Sequence, residues 1–162
     1  MRETTMGIEP YLRSLQTMKA CFDRTISCLG EKHETFAPVE GMFTVAQQIA
    51  HTAQSIEWFM EGAFRPEGMD LAFDDHIGEV RAVTSMEDAL AWWNSAVQEA
   101  EASVSGSAPE AWDEPIRGEI LAGVPRHSIF EAMADHTAHH RGALAVYARL
   151  LGLDPPMPYG GE

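Results

Sequence analysis

Ile129-Phe130-Glu131-Ala132-Met133-Ala134-Asp135-His136-Thr137-Ala138-His139-His140-Arg141-Gly142-Ala143-Leu144-Ala145-Val146-Tyr147-Ala148-Arg149-Leu150-Leu151 reads as one amphipathic helix. Ile129, Met133, Ala143, Leu144, Tyr147 and Leu151 fall on one face at helical spacing. His136 and His140 fall in the middle of that face, four residues apart, so one imidazole lies a turn above the other. A buried imidazole costs free energy unless its ring nitrogens are satisfied. Two facing imidazoles cannot both become cationic in a dry core. Sharing one divalent ion resolves both constraints, because neutral imidazole is a strong metal ligand.

Boundary signals frame this helix and three others. Ser128-Ile129-Phe130-Glu131 spells a capping box, and Gly152 followed by Leu153 spells a Schellman-type stop. Pro155 and Pro156 then forbid continuation, and the tail to Glu162 is expected to be extended. A first helix is predicted from Pro10 to Leu29, with proline at its start and Gly30 at its stop. Its residues Ile8, Leu12, Leu15, Phe22, Ile26 and Leu29 keep the period of a bundle helix. A second opens on the capping box Thr44-Val45-Ala46-Gln47 and runs to about Gly62. Val45, Ile49, Thr52, Ile56, Phe59 and Ala63 form its stripe, with His51 on the flank beside Ser55 and Trp58. A third runs from Thr84 or Ser85 to about Gly106, with Met86, Leu90, Trp93, Val97, Ala100 and Val104 inward.

The connections are long. Residues 30–43 form a loop with Pro38 and Gly41. Residues 64–85 are too many for a structureless loop, and Asp74-Asp75-His76-Ile77 suits the start of a helical turn. Residues 107–126 are turn-rich, with a brief extended piece expected around Ile120. Four amphipathic helices with such connections predict an all-α four-helix bundle with long crossover connections, built as a single domain over residues 1–162.

Acidic residues outnumber basic ones 25 to 11, giving a net charge of −14. No basic stripe is present, so a nucleic-acid partner is not expected. No apolar run approaches the roughly 18–20 residues of a membrane span, and Met1 to Pro10 lacks the apolar stretch of a secretory signal. No membrane association and a cytoplasmic location are therefore expected. Cys21 and Cys28 lie seven apart on one predicted helix, roughly 10 Å apart at the helical rise, too far for a disulfide.

His136 and His140 need a third ligand from another helix. His51 is the best placed donor, with His76 and His139 as rivals. His33 and His127 fall at element boundaries, where solvation is expected. The pair is not a zinc-protease signature, since Thr137 stands where H-E-x-x-H needs glutamate. Asp135 and Glu57 are candidates to orient a ligand. Arg141, next to a ligand, is a candidate to bind an anionic group, although a surface position or an interhelical salt bridge suits it better, and Trp58, Trp93 and Tyr147 are core residues or pocket walls. No residue stands out as a general base, so catalytic residues are not assigned. Zn, Ni and Fe all accept imidazole. An open position on the ion would activate water or a thiol, whereas a fourth protein ligand would make the ion a staple or sensor in a non-catalytic dimer. Ordinary imidazoles would release the ion as pH falls through about 6–7.

Three stretches resemble the DinB-like family, which includes YfiT-like metal-dependent hydrolases. They are Thr44-Val45-Ala46-Gln47-Gln48-Ile49-Ala50-His51, then His136-x-x-x-His140-Arg141-Gly142, and the closing Leu151-Gly152-Leu153-Asp154-Pro155-Pro156 with Tyr159-Gly160. Their order and spacing cover most of the chain. The resemblance implies a four-helix bundle with a three-histidine metal site at His51, His136 and His140. It also implies a homodimer, and a small-molecule substrate such as a low-molecular-weight thiol (bacillithiol or mycothiol) that a transferase moves onto electrophiles, or else a hydrolase. Ala143 departs from the family pattern, where a glutamine often follows the Arg-Gly pair.

Overall fold

The computed structural model describes residues 7–160. The signal-free reading of Met1–Met6 and the final two residues of the tail lie outside the described residues. The chain forms α1 (Glu9–Ile26), α2 (Val45–Phe64), α3 (Phe73–Ala82), α4 (Met86–Gly106) and α5 (Ser128–Leu150), with short 3₁₀ turns at Glu31–His33 and Pro109–Trp112. Among the described residues there is no β-strand, only an isolated bridge between Pro115 and Pro125. None of the described helices is long and apolar enough to cross a membrane.

The predicted capping box of the second helix forms. Thr44 Oγ1 accepts from Gln47 N–H at 3.2 Å, and Gln47 Oε1 accepts from Thr44 N–H at 3.1 Å. Two further N–H groups of this end are met by the preceding loop, Val45 donating to Phe36 O and Ala46 to Glu34 O. The Glu34 carboxylate in turn accepts from Met86 N–H at 2.8 Å, tying the starts of α2 and α4 together. The Schellman stop of α5 also forms. Gly152 has φ of 77°, with Leu153 N–H on Ala148 O and Gly152 N–H on Arg149 O.

Three local expectations are corrected. α1 stops at Ile26 rather than Leu29. Thr25, Ser27 and Cys28 turn their side chains onto the carbonyls of Cys21, Arg24 and Thr25, competing with the backbone ladder. Ser128 is the first residue of α5 and not its cap, because Ser128, Ile129 and Phe130 donate their N–H groups to the carbonyls three residues earlier, Pro125, Arg126 and His127, and carry the backbone into the helix. The paired backbone of the 107–126 segment lies at Ile116 and Val124, with Ile120 in the turn between them.

α1 packs on α4 and α5, and α2 packs on α3, α4 and α5. The four long helices therefore close a ring in the order α1, α5, α2, α4, which sets α1 diagonal to α2 and α4 diagonal to α5. The two connections between diagonal helices are the crossovers. α2 is the most enclosed element, with 13 buried residues in its 20. At one end of the core Trp112 sits among Tyr11, Phe64 and Phe130. Trp93 packs against Phe22 in a tilted pair with ring centroids 4.4 Å apart and donates its indole N–H to Asp23 at 2.7 Å. The expected short element of the 64–85 connection is α3, which lies on α2.

Candidate metal centre

His51 lies in the second turn of α2, and His136 and His140 lie one turn apart on α5. The packing of α2 on α5 brings the three together. Each offers one ring nitrogen, and these nitrogens all lie within 4.8 Å of one another. The ring centroids are 4.5 Å apart for His136 and His140, 4.6 Å for His51 and His140, and 5.2 Å for His51 and His136. His136 Nε2 and His140 Nε2 stand 3.3 Å apart.

A relay of hydrogen bonds fixes the tautomer of His140. Tyr147 Oη donates to Phe43 O at 3.0 Å, so it accepts from Gln48 Nε2 at 3.3 Å. That orients the Gln48 amide with Oε1 toward His140 Nδ1, 2.7 Å away, and Nδ1 must carry the proton. The lone pair of His140 is then on Nε2, aimed at His136 Nε2. Two such nitrogens are held together only by a proton on His136 or by a cation that both accept. His51 Nδ1 and His136 Nδ1 are buried, and neither has a hydrogen-bond partner among the described residues. Orphaned buried nitrogens are costly, about 1–3 kcal/mol each. What fits a divalent ion is the set of three neutral imidazoles, each with one ring nitrogen within 4.8 Å of the others.

Burial also keeps the cluster uncharged. It lowers the pKa of all three histidines, with His140 taken to about 3, His136 to about 4, and His51 below its ordinary value. Desolvation is the largest cause at each, followed by the neighbouring histidines. At neutral pH all three are free bases, ready to bind a metal. Protons compete for His136 and His140 only well below the pH 6–7 range expected of ordinary imidazoles.

The other candidates lie elsewhere. His139 is exposed and sits beside His140 with ring centroids 4.9 Å apart, outside the cluster. His76 is on α3, 3.9 Å from the Asp70 carboxylate. His33 is buried rather than solvated, its Nδ1 accepting from Gly30 N–H at 3.1 Å. His127 is half-buried against Tyr11. Arg141 is a surface residue, but its partner is the Tyr159 hydroxyl at 2.8 Å and not a carboxylate. Glu57 faces Glu61 and Glu99 between α2 and α4, and Trp58 donates its indole N–H to Asp70 O.

Gln48, the residue that orients His140, escapes a reading in which only histidines break the apolar stripes. Its signal is positional. It stands i−4 from Thr52 and between Val45 and Ile49 on the inward side of the helical wheel, so its amide had to find a buried partner. Phe43 and Phe59 flank the cluster, 5.3 Å from His51 and 6.4 Å from His136. His51 and His136 are both half-buried.

An all-helical bundle with a half-buried three-histidine cluster between α2 and α5 defines the class. The family model of the DinB superfamily matches residues 15–144, and the chain belongs to that superfamily. A DinB-like protein from Bacillus cereus shares the fold with a TM-score of 0.73 and 18% identity, over 98% of this chain and 100% of that one. A mycothiol-dependent maleylpyruvate isomerase matches with a TM-score of 0.66 and 16% identity, over 88% of this chain and 63% of the isomerase. A protein from Streptococcus pneumoniae matches with a TM-score of 0.66 and 12% identity, over 94% and 93% of the two chains. Comparison with curated proteins gives no match.

Proposed function

We propose that this protein is a metal-dependent enzyme, acting as one domain, that uses a low-molecular-weight thiol on a small electrophile. His51, His136 and His140 hold the metal. The observation that carries the reading is the number of donors. Among the described residues no other histidine, cysteine or carboxylate joins the three nitrogens. A divalent ion on three imidazoles keeps a free coordination position, where it lowers the pKa of a thiol or of water. A structural staple would need a fourth protein ligand, and His76, the residue best suited to supply one, faces Asp70 instead.

The chain's own residues supply the rest. Gln48 holds His140 with Nε2 facing the shared centre. His51 and His136 are half-buried, and Phe43 and Phe59 stand beside them with apolar surface that suits a small organic substrate. The thiol is supported by the fold shared with the mycothiol-dependent isomerase, and the same site on water is the hydrolytic alternative. A homodimer in the cytoplasm fits this reading.

The test is turnover of a chromogenic aryl halide by the metal-loaded protein with cysteine, bacillithiol and mycothiol in turn. At least one thiol should be turned over, and His140→Ala should abolish the rate. Hydrolysis of an aryl ester with no thiol turnover would replace the transferase by a hydrolase, and inactivity in both assays would leave a staple.

A further inference from the structure

A second concave site lies across α5 from the histidines. It is a groove of about 530 Å³ between α1 and α5, closed at one edge by Tyr159 of the tail. Its volume is within the range of small-molecule sites. Its lining residues Ala134 and Ala138 lie about 120–160° around α5 from His136 and His140, Arg141 about 100–140°, and Thr137 forms the near edge at about 60–100°. The groove and the metal centre therefore open on different faces.

Its charge is opposite to that of the chain. Acidic residues outnumber basic ones 25 to 11, yet no carboxylate is among the residues lining this groove, while two guanidiniums are, Arg13 and Arg141. Neither makes a salt bridge with any described residue, whereas Lys19, Arg65 and Arg126 are each paired with a carboxylate. Arg141 is held in place by Tyr159, its Nη2 donating to the hydroxyl at 2.8 Å and its guanidinium lying 5.0 Å from the ring centroid. A planar cation kept by an aromatic ring retains donors for an oxyanion. Met18, Ala134 and Ala138 give the groove apolar surface beside the two arginines. The groove of about 510 Å³ between α2 and α4 is the contrast, since it carries Glu57, Glu61 and Glu99 and no basic residue.

We infer that the α1–α5 groove binds a small organic anion with an apolar body, an aryl or alkyl carboxylate or sulfonate, its acid group held at the Arg141 end beside Tyr159 and drawn in by the positive field of Arg13. Cys21, a half-buried free thiol in the groove wall, reports its occupancy.

The probe is 1-anilinonaphthalene-8-sulfonate, with N-phenyl-1-naphthylamine as its uncharged analogue, titrated against the full-length protein. The sulfonate should bind at one site. The Arg13→Gln and Arg141→Gln variants should each weaken it about fivefold and the double variant about tenfold or more, with no change for the uncharged analogue. In a Cys28→Ser background, saturating sulfonate should slow the reaction of Cys21 with a thiol reagent. Metal content should stay that of the parent, since neither arginine belongs to the histidine cluster. Unchanged sulfonate affinity in the double variant would overturn the proposal. So would a Cys21 that is shielded only in a dimer and freed on dilution, which would make the groove an interface between copies of this chain.

Discussion

Replacing Gln48 with leucine removes the acceptor that keeps the proton on His140 Nδ1. The ring then loses its fixed tautomer, and its Nε2 no longer has to face His136. Metal affinity should fall about 10–100-fold, as for other residues that orient a metal-bound histidine, while the helical circular dichroism stays unchanged. Competition with a chelating dye measures this, and unchanged affinity would mean that the amide does not orient the ligand. At this scale His136 and His140 were legible in the sequence because polar rings stood at i and i+4 inside an apolar stripe. His51 was legible only as the best of several donors, since its selection depends on how α2 meets α5. Gln48 was not legible, because an amide can satisfy itself with many partners, and its role rests on Tyr147, 99 residues away.

Among the elements, boundaries marked by a capping box or a glycine stop were readable, and those set by competing side-chain bonds or an entering turn were not. The capping box of α2 and the glycine stop of α5 depend on residues within one turn, and both formed. The entry to α5 depends instead on the turn at 125–128, and the end of α1 on side chains that compete for its last carbonyls. Thr44→Ala removes one partner of the capping box and should cost about 1 kcal/mol, read from chemical denaturation. The crossing of two loops makes a sharper test. Gly68 and Gly118 have φ of 80° and 88° and pack backbone to backbone, so that a Cβ on Gly118 would lie 2.3 Å from Glu67 O. Gly118→Ala therefore combines a strained backbone with a steric clash and should destabilise by about 1–3 kcal/mol, more than the lost cap. An alanine variant as stable as the parent would show that these loops do not pack as described.

For the molecule as a whole, the neutral histidine cluster links stability to pH and to metal. In the metal-free protein His136 and His140 resist protonation down to about 4 and 3. The unfolded chain takes up those protons from about pH 6.5 downward. Below that pH the unfolded state binds more protons than the fold, so metal-free stability should fall as pH drops from about 6.5 toward 4, with no contribution from these groups above it. Thermal melts of chelator-treated protein across that range measure the slope, and a melting temperature flat from pH 7 to 4.5 would contradict a buried neutral cluster. The ring order of the helices, α1, α5, α2, α4, was only partly legible. The long connections announced crossovers, but which helices pair is decided by the summed apolar faces and not by any one residue.

Because the ion would bind the fold and not the unfolded chain, metal in excess should also raise the melting temperature of the parent and leave the histidine variants unmoved. The most direct measurement is elemental analysis of the untagged protein beside His51→Ala and His140→Ala. The three-histidine centre predicts about one divalent ion per parent chain and its loss from both variants, one altered on α2 and the other on α5. Full metal retention in either variant, with the fold intact, would contradict it.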